Sequence, residues 1–236
     1  MQPFVSVITP TYNRRKFIPY LIKCYKAQIY PKNRMEWIIL DDGSDPVRDL
    51  FEQASKKIPN IRYIREDEKK LIGYKRNRLN KEAKGEIIVA MDDDDYYPPE
   101  RVSHIVHMFG GKPKVELAGS SKIYMYYTNI KKIFSAGPYN ENHATNGTMA
   151  WRKSYSDRNF YDEDVTHAEE KAFLQNYVNP MIQLNPEKVM LVISHSDNTF
   201  DKNVLRESPN PMLKETTMKV RDFIKDKELR EFYSSS

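Results

Sequence analysis

Between residues 5 and 110 the chain alternates short apolar runs with amphipathic stretches, and that alternation restricts the available folds more than any single motif does. Val5-Ser6-Val7-Ile8-Thr9, Trp37-Ile38-Ile39-Leu40, Ile61-Arg62-Tyr63-Ile64 and Ile87-Ile88-Val89-Ala90-Met91 have the length and β-branched content of buried strands. Helical spacing follows each: Phe17, Ile18, Leu21, Ile22 and Tyr25 within Arg14 to Ile29; Val47, Leu50, Phe51 and Ala54; a basic helix from Gly73 to Lys84 stopped by Gly85; and Val102, Ile105, Val106 and Phe109 after Pro98-Pro99. Strand-helix repeats of this kind predict an α/β fold, a Rossmann-like and mostly parallel central sheet flanked by helices. Ligands of such sheets bind beyond the carboxyl ends of the strands. Pro10–Asn13, Asp41–Ser44 and Asp92–Asp95 lie at those ends, so the three polar clusters are expected to meet in one cleft.

After Gly111 the pattern changes. Val115–Gly119, Lys122–Tyr127 and Lys131–Phe134 read as short strands, the last two as a hairpin around Thr128-Asn129-Ile130, which predicts a small antiparallel extension. An acidic helix is expected over Asp164–Tyr177, and a further strand over Val189–Ile193, ending in Ser194-His195-Ser196-Asp197-Asn198. Residues from about Met212 to Tyr233 read as one charged helix with Met218, Val220, Phe223, Ile224 and Leu229 inward. The segment Asp201–Pro211, with two prolines, reads as a mobile connector. At 236 residues a single domain with one sizeable core is expected.

Composition removes several alternatives. Hydrophobic residues at 39% and charged residues at 30% fit a globular chain rather than a disordered one. No apolar run reaches the roughly 18–20 residues of a membrane span, and the N-terminus enters a strand without signal-peptide features, so a cytoplasmic setting is expected. The single cysteine, Cys24, rules out an internal disulfide framework. Net charge is +5, but the basic residues are interspersed with acidic ones, which argues against a nucleic-acid partner.

Asp92-Asp93-Asp94-Asp95 follows a buried strand directly. Adjacent carboxylates repel unless a cation sits among them, and Mn²⁺ or Mg²⁺ takes one or two carboxylates together with substrate phosphates. If the run is extended, Asp92 and Asp94 share one face while Asp93 and Asp95 share the other. A solvated acidic loop, or a cap for the helix at Pro98, is the plainer alternative. The preceding strand favours a metal role, with Asp94 as the leading ligand.

These motifs together resemble the family 2 glycosyltransferases of the GT-A fold. Val5 to Arg14 is similar to the family's opening strand and loop, Asp41-Asp42-Gly43-Ser44 to its second-strand signature, and Gly73 through Arg76-Asn77 to Gly85-Glu86 to its third. Met91-Asp92-Asp93-Asp94-Asp95 is similar to its D-x-D-D motif. The resemblance is close over the first hundred or so residues and looser beyond, where Glu169-Glu170 and His195 carry it. It implies a nucleoside-diphosphate-sugar donor, commonly a UDP-sugar, a divalent metal, a glycan or glycoprotein acceptor and inversion at the anomeric carbon. Residues 1–100 would then be the nucleotide-binding half, 101–211 the acceptor-binding half and 212–236 a C-terminal helix.

Carried over by position, the resemblance implies that Thr9, Pro10, Thr11 and Tyr12 line the base and ribose pocket. Asp41 or Asp42, with Asp42 favoured, would accept the uracil ring N–H; turn formation is the competing role for both. Lys75 and Arg76 would face the base edge or diphosphate. Asp92 and Asp93 would touch the ribose or diphosphate, with Asp94, Asp92 and His195 on the metal. The acceptor hydroxyl needs a general base, and the matching segment points to Glu170, with Glu169 and Asp164 behind it. Glutamate stands here where the family usually has aspartate. Trp151 would stack on a sugar or sit in the core. A Lys-, Ile-, Asn- and Tyr-rich composition also resembles glycosyltransferases of large DNA viruses. The competing readings are a sugar nucleotidyltransferase, disfavoured because Pro10-Thr11-Tyr12-Asn13 replaces a glycine-rich loop, and a catalytically silent nucleotide-sugar or glycan-binding module.

Overall fold

The computed structural model describes residues 2–166, 168–196, 198, 202–207 and 210–235. His167 and Asp197, as well as Asp201 and Pro209 of the expected connector, lie outside the described residues. Among the described residues, strands β1 (Val5–Thr11), β2 (Met35–Asp41), β3 (Ile61–Arg65), β4 (Ile87–Ala90), β5 (Leu117–Gly119), β8 (Ala150–Arg152) and β9 (Met181–Gln183) form one sheet in the order β3-β2-β1-β4-β8-β5-β9. β1, β2, β3 and β4 pair in parallel, whereas β8 runs antiparallel to both β4 and β5. Strands β6 (Ile123–Tyr127), β7 (Lys132–Ala136), β10 (Leu191–Ser194) and β11 (Leu213–Glu215) form a second sheet in the order β10-β6-β7-β11.

Both faces of the large sheet are covered, which is why β1, β2 and β4 are buried along their whole length without alternation. Val5 and Val7 point into one core with helices α1 (Ile18–Ala27), α2 (Arg48–Ser55) and α4 (Arg101–Gly110). Ile8 points into the other core, with Leu79 of α3 (Ile72–Glu82), Tyr155 of α5 (Lys153–Ser156) and Phe173 of α6 (Glu170–Phe173). Trp151 is fully buried in this second core, donating its indole N–H to Asn80 Oδ1 (3.1 Å), so core burial is its role in the structure.

Two expectations fail. The acidic helix over Asp164–Tyr177 shrinks to the single turn of α6 and a 3₁₀ turn, because Ala168, Gln175, Asn176 and Tyr177 have φ between 48° and 63°, a conformation an α-helix cannot contain. The C-terminal segment is not one helix either. Leu213–Glu215 pairs antiparallel with β7, and Ile224, with φ −99° and ψ 101°, separates α8 (Val220–Phe223) from α9 (Lys227–Ser235). The expected inward set holds for Phe223, Ile224 and Leu229, with Tyr233 added to it. A short helix, α7 (Asn203–Glu207), occupies part of the expected connector.

Candidate active site

The register of the parallel strands sets Thr11 beside Asp41, and the acidic run begins at Asp92, two residues after β4 ends at Ala90. Asp41 organises the turn after β2. It accepts the backbone N–H groups of Gly43 (2.9 Å) and Val47 (3.0 Å), and the Tyr63 hydroxyl. Gly43 is required there, since a Cβ would stand 2.6 Å from the backbone nitrogen of Asn13. Asp42 instead forms a buried pair with Lys75 (2.7 Å) and accepts the Lys70 backbone N–H (2.7 Å). Lys75 and Lys69 both lie over the ring of Tyr12, at 5.8 and 4.5 Å. The Thr9 hydroxyl is turned inward, donating to the Met91 carbonyl and accepting from Trp37. Tyr12, Asp42 and Lys75 are therefore gathered at one strand edge, while Thr9 and Asp41 brace it.

The acidic run is a bend rather than an extended segment, and the expected two-and-two division of its side chains does not occur. Asp92 pairs with Arg76 (3.0 Å). Asp93 and Asp94 share Arg14, at 3.8 and 3.7 Å. Asp95 turns inward and accepts the Ile193 backbone N–H (2.8 Å). Burial, reinforced by the charge of Asp94, pushes Asp93 up to about 7. Burial would raise Asp94 too, but the hydrogen bond to His195 and the charges of Lys202 and Arg14 outweigh it and hold Asp94 below the usual carboxylate range.

His195 reaches this site through the second sheet. Tyr96 and Leu191 exchange backbone hydrogen bonds of 3.1 and 2.9 Å, joining the end of the acidic run to the start of β10. One residue past the end of β10, the chain delivers His195 Nε2 to within 3.4 Å of Asp94 Oδ2. Asn198 contacts both, donating to Asp94 Oδ2 (3.2 Å) and lying 2.8 Å from His195 Nε2. The His195 ring rests on Phe17 (centroids 4.7 Å apart), which meets Phe232 of α9. Among the described residues no three His, Cys, Asp or Glu side chains converge in metal-binding geometry. Asp94 and His195 are brought together, whereas the Asp92 carboxylate faces Arg76.

Arg76 is almost entirely buried and is claimed from several sides. Besides Asp92 it donates through Nε to Glu169 Oε1 (2.9 Å). The Asn146 amide, oriented by its partners, accepts from Nη1 and Nη2 (2.6 and 3.1 Å) and donates to the Tyr161 hydroxyl (2.7 Å). Asp92 and Glu169 hold the guanidinium charged against the opposing effect of burial. Glu169 is thus fixed in an ion pair. Glu170, on the first turn of α6, has its pKa raised, by burial first and by the charge of Glu169 second. Asp164 is exposed, with its backbone N–H donating to Asp162.

Arg14, Asn198, Tyr97 and Arg101 are parts of the site that sequence reasoning did not single out. Asp92 donates its backbone N–H to the Tyr97 hydroxyl (2.6 Å). Arg101 donates to the carbonyls of Val189 (2.7 Å), Ala90 and Gly147 (2.8 Å). Gly147 in turn lies so close to Asp92 that a Cβ would stand 3.2 Å from its Oδ2. A basic residue within a helical pattern ordinarily reads as a solvated face, so only Arg14, inside the opening loop motif, carried a usable signal.

A Rossmann-like sheet with an acidic run at its central strand end, closed by a histidine that follows a strand of a second small sheet, defines a domain of the GT-A fold. The chain belongs to glycosyl transferase family 2, whose model matches residues 6–141. It is 33% identical over 93 residues to the glycosyltransferase AglE of Haloferax volcanii, covering 39% of this chain and 31% of that protein. It is 35% identical over 97 residues to the poly(ribitol-phosphate) β-N-acetylglucosaminyltransferase TarS of Staphylococcus aureus, covering 40% of this chain and 17% of that protein. The chain thus spans a third or less of the length of these relatives. Residues 1–349 of S. aureus TarS, solved with UDP-GlcNAc, share the fold at TM-score 0.68 and 19% identity, over 87% of this chain and 61% of that one. A mannosyltransferase from Pyrobaculum calidifontis, solved with GDP-Man and Mn²⁺, does so at TM-score 0.68 and 16% identity, over 89% and 66%. Among the described residues no helix is long and apolar enough to cross a membrane.

Proposed function

We propose that the chain transfers a sugar from a nucleoside-diphosphate sugar, a UDP-sugar above all, to a hydroxyl of a glycan or glycoconjugate acceptor, with inversion. One observation carries the reading: Arg76 links the acidic run to the glutamate pair, through Asp92 at 3.0 Å and Glu169 at 2.9 Å. The donor end and the acceptor end of a displacement reaction are then two ends of one buried ion-pair network. TarS, solved with UDP-GlcNAc, and the mannosyltransferase, solved with GDP-Man, lend the donor class by analogy.

Asp94 and His195 offer one carboxylate oxygen and one imidazole nitrogen, a mixed pair that suits Mn²⁺ better than Mg²⁺ and would leave its remaining positions to phosphate oxygens and water. Asp93, whose pKa is raised by burial first and by the charge of Asp94 second, is a carboxyl that a neighbouring cation would help to ionise. Bound there, Mn²⁺ or Mg²⁺ would neutralise charge on the departing diphosphate. Arg14 supplies a second positive charge at the same edge. Tyr12 offers its ring to the base, and Asp42 an acceptor for a ring N–H beside the Lys75 ammonium.

Glu170 is the general base in this reading. Its neighbour Glu169 is committed to Arg76, whereas the carboxylate of Glu170 has no side-chain hydrogen bond or ion pair among the described residues. A raised pKa brings its proton affinity closer to working pH, where a base removes a hydroxyl proton most effectively. The proton of the acceptor hydroxyl passes to Glu170 as the oxygen attacks the anomeric carbon opposite the departing diphosphate.

The test is turnover with a panel of UDP-sugars and Mn²⁺, read as release of UDP with and without glycan acceptors. Tight nucleotide binding without hydrolysis or transfer of any donor would leave a sugar-nucleotide-binding module instead.

A further inference from the structure

Helix α3 serves two spaces. Lys75 and Arg76 face the acidic side of the molecule. Asn77, Asn80 and Lys81 line a separate groove of about 590 Å³, whose other wall carries Asp157, Phe160 and Glu163. That volume lies within the range of small-ligand sites, about 300–1,000 Å³.

Three features of the groove point to a ligand. Phe160 is 60% exposed at its rim, a large apolar ring left in water beside polar neighbours. Asn80 is only 3% exposed; its Oδ1 accepts from Trp151, but its Nδ2 has no hydrogen-bond partner. A buried unpaired amide donor is costly, and an incoming acceptor oxygen would satisfy it. The lining is also of mixed charge: Lys153 pairs with Asp157 and Arg78 with Glu82, so the groove lacks the concentrated cations of a phosphate site.

A flat apolar ring with planar amides and carboxylates around it matches a pyranose ring. Such a sugar presents one face of C–H groups to an aromatic and a rim of hydroxyls to amides and carboxylates. The groove also shares a wall with the site. Asn77 donates to the Tyr161 carbonyl (2.9 Å) and Glu163 (2.7 Å), and accepts the Tyr161 N–H (2.8 Å). On its other side the Tyr161 ring stacks on Phe173 (4.2 Å) and lies under Arg76 (5.9 Å). We propose that this groove is a remote acceptor subsite, which holds a sugar residue of the acceptor glycan one or more units from the hydroxyl that reacts. Only the word acceptor rests on the glycosyltransferase reading; sugar binding in the groove can be measured without turnover.

The experiment compares the wild-type chain with Phe160→Ala and Lys81→Glu on a printed array of defined neutral and acidic oligosaccharides. The strongest binder is then titrated into ¹⁵N-labelled protein. Binding is expected to weaken about tenfold in Phe160→Ala, equivalent to about 1.4 kcal/mol, and measurably in Lys81→Glu. The Asn80 side-chain amide resonances are expected to shift in the wild type. UDP-sugar thermal shifts are expected to be the same in all three proteins. Absence of any array binding by the wild type, variants that bind as it does, or Asn80 amide signals that stay still would each overturn the subsite. If the groove binds sugar while every donor fails to turn over, the subsite stands and the transfer reaction is what falls.

Discussion

His195 Nε2 stands 3.4 Å from Asp94 Oδ2, although Asp94 follows a strand of the large sheet and His195 a strand of the small one. The Tyr96–Leu191 bridge makes that meeting possible. If the pair holds the cation, Asp94→Ala should abolish the part of the UDP-sugar thermal shift that depends on Mn²⁺. His195→Ala should weaken Mn²⁺ affinity by at least about tenfold while nucleotide binding without metal stays intact. A metal-dependent shift that survives in Asp94→Ala would move the cation elsewhere.

Glu170→Gln should bind donor as the wild type does and lose roughly 10²–10⁴-fold in transfer rate. Burial raises the pKa of Glu170, so the acid limb of the wild-type rate profile should lie above the ordinary glutamate value of about 4.3. The stability sign follows from the same shift. A carboxyl with a folded pKa above its unfolded one is penalised when ionised, and the penalty is absent at pH well below the unfolded pKa. The melting temperatures of wild type and Glu170→Gln should therefore converge in acid, and the glutamine variant should gain as pH rises through the folded pKa. Glu169→Gln should instead lose stability, because it strips Arg76 of a partner. An active Glu170→Gln enzyme would eliminate Glu170 as the base.

The strand ends that carry Tyr12, Asp42 and Asp94 were legible because a buried parallel strand is a continuous apolar run, and its end is where polar residues resume. Ala150–Arg152 was not, since three residues carry no period and the strand exists only through antiparallel pairing with β4 and β5. The helix expected over Asp164–Tyr177 had the right composition, but four residues there take positive φ, which an apolar pattern does not encode. Side-chain division in the acidic run was misjudged because alternation assumes an extended chain, and Asp93–Asp95 form a bend. The partnership of Arg76 with both Asp92 and Glu169 joins segments far apart in sequence, so spacing could not reveal it.

Arg76→Met should be among the most damaging substitutions in the chain. It strands Asp92 and Glu169 without their shared cation, and breaking a buried pair from one side costs about 3–5 kcal/mol. Arg76→Lys keeps the charge but lacks the planar fork that serves Asp92, Glu169 and Asn146 together, so an intermediate loss is expected. Adding Glu169→Gln to Arg76→Met should recover part of the loss, since it removes one unpaired buried charge. Urea unfolding of the four proteins measures all of this. A double variant no more stable than Arg76→Met alone would mean that Glu169 escapes to solvent once released.

Arg101 poses a sharper test, because it touches no carboxylate of the candidate site yet braces the segments that carry Asp92 and His195. The residue is fully buried, and burial lowers its pKa to about 10, which leaves it charged at neutral pH. Its guanidinium gathers the carbonyls of Ala90 at the end of β4, Gly147 in the turn against Asp92, and Val189 ahead of β10. Arg101→Met leaves three buried carbonyls short of a donor, each worth about 1–3 kcal/mol. The same change also frees the segments that bring Asp92 and His195 to the site. Melting temperature and Mn²⁺ affinity should therefore fall together in Arg101→Met. Arg101→Lys, with a single ammonium for three carbonyls, should restore stability only in part. If stability drops while Mn²⁺ binds the folded variant as tightly as the wild type, the acidic run holds its geometry without Arg101, and the bend at Asp93–Asp95 is set by its own contacts with Arg14 and Ile193.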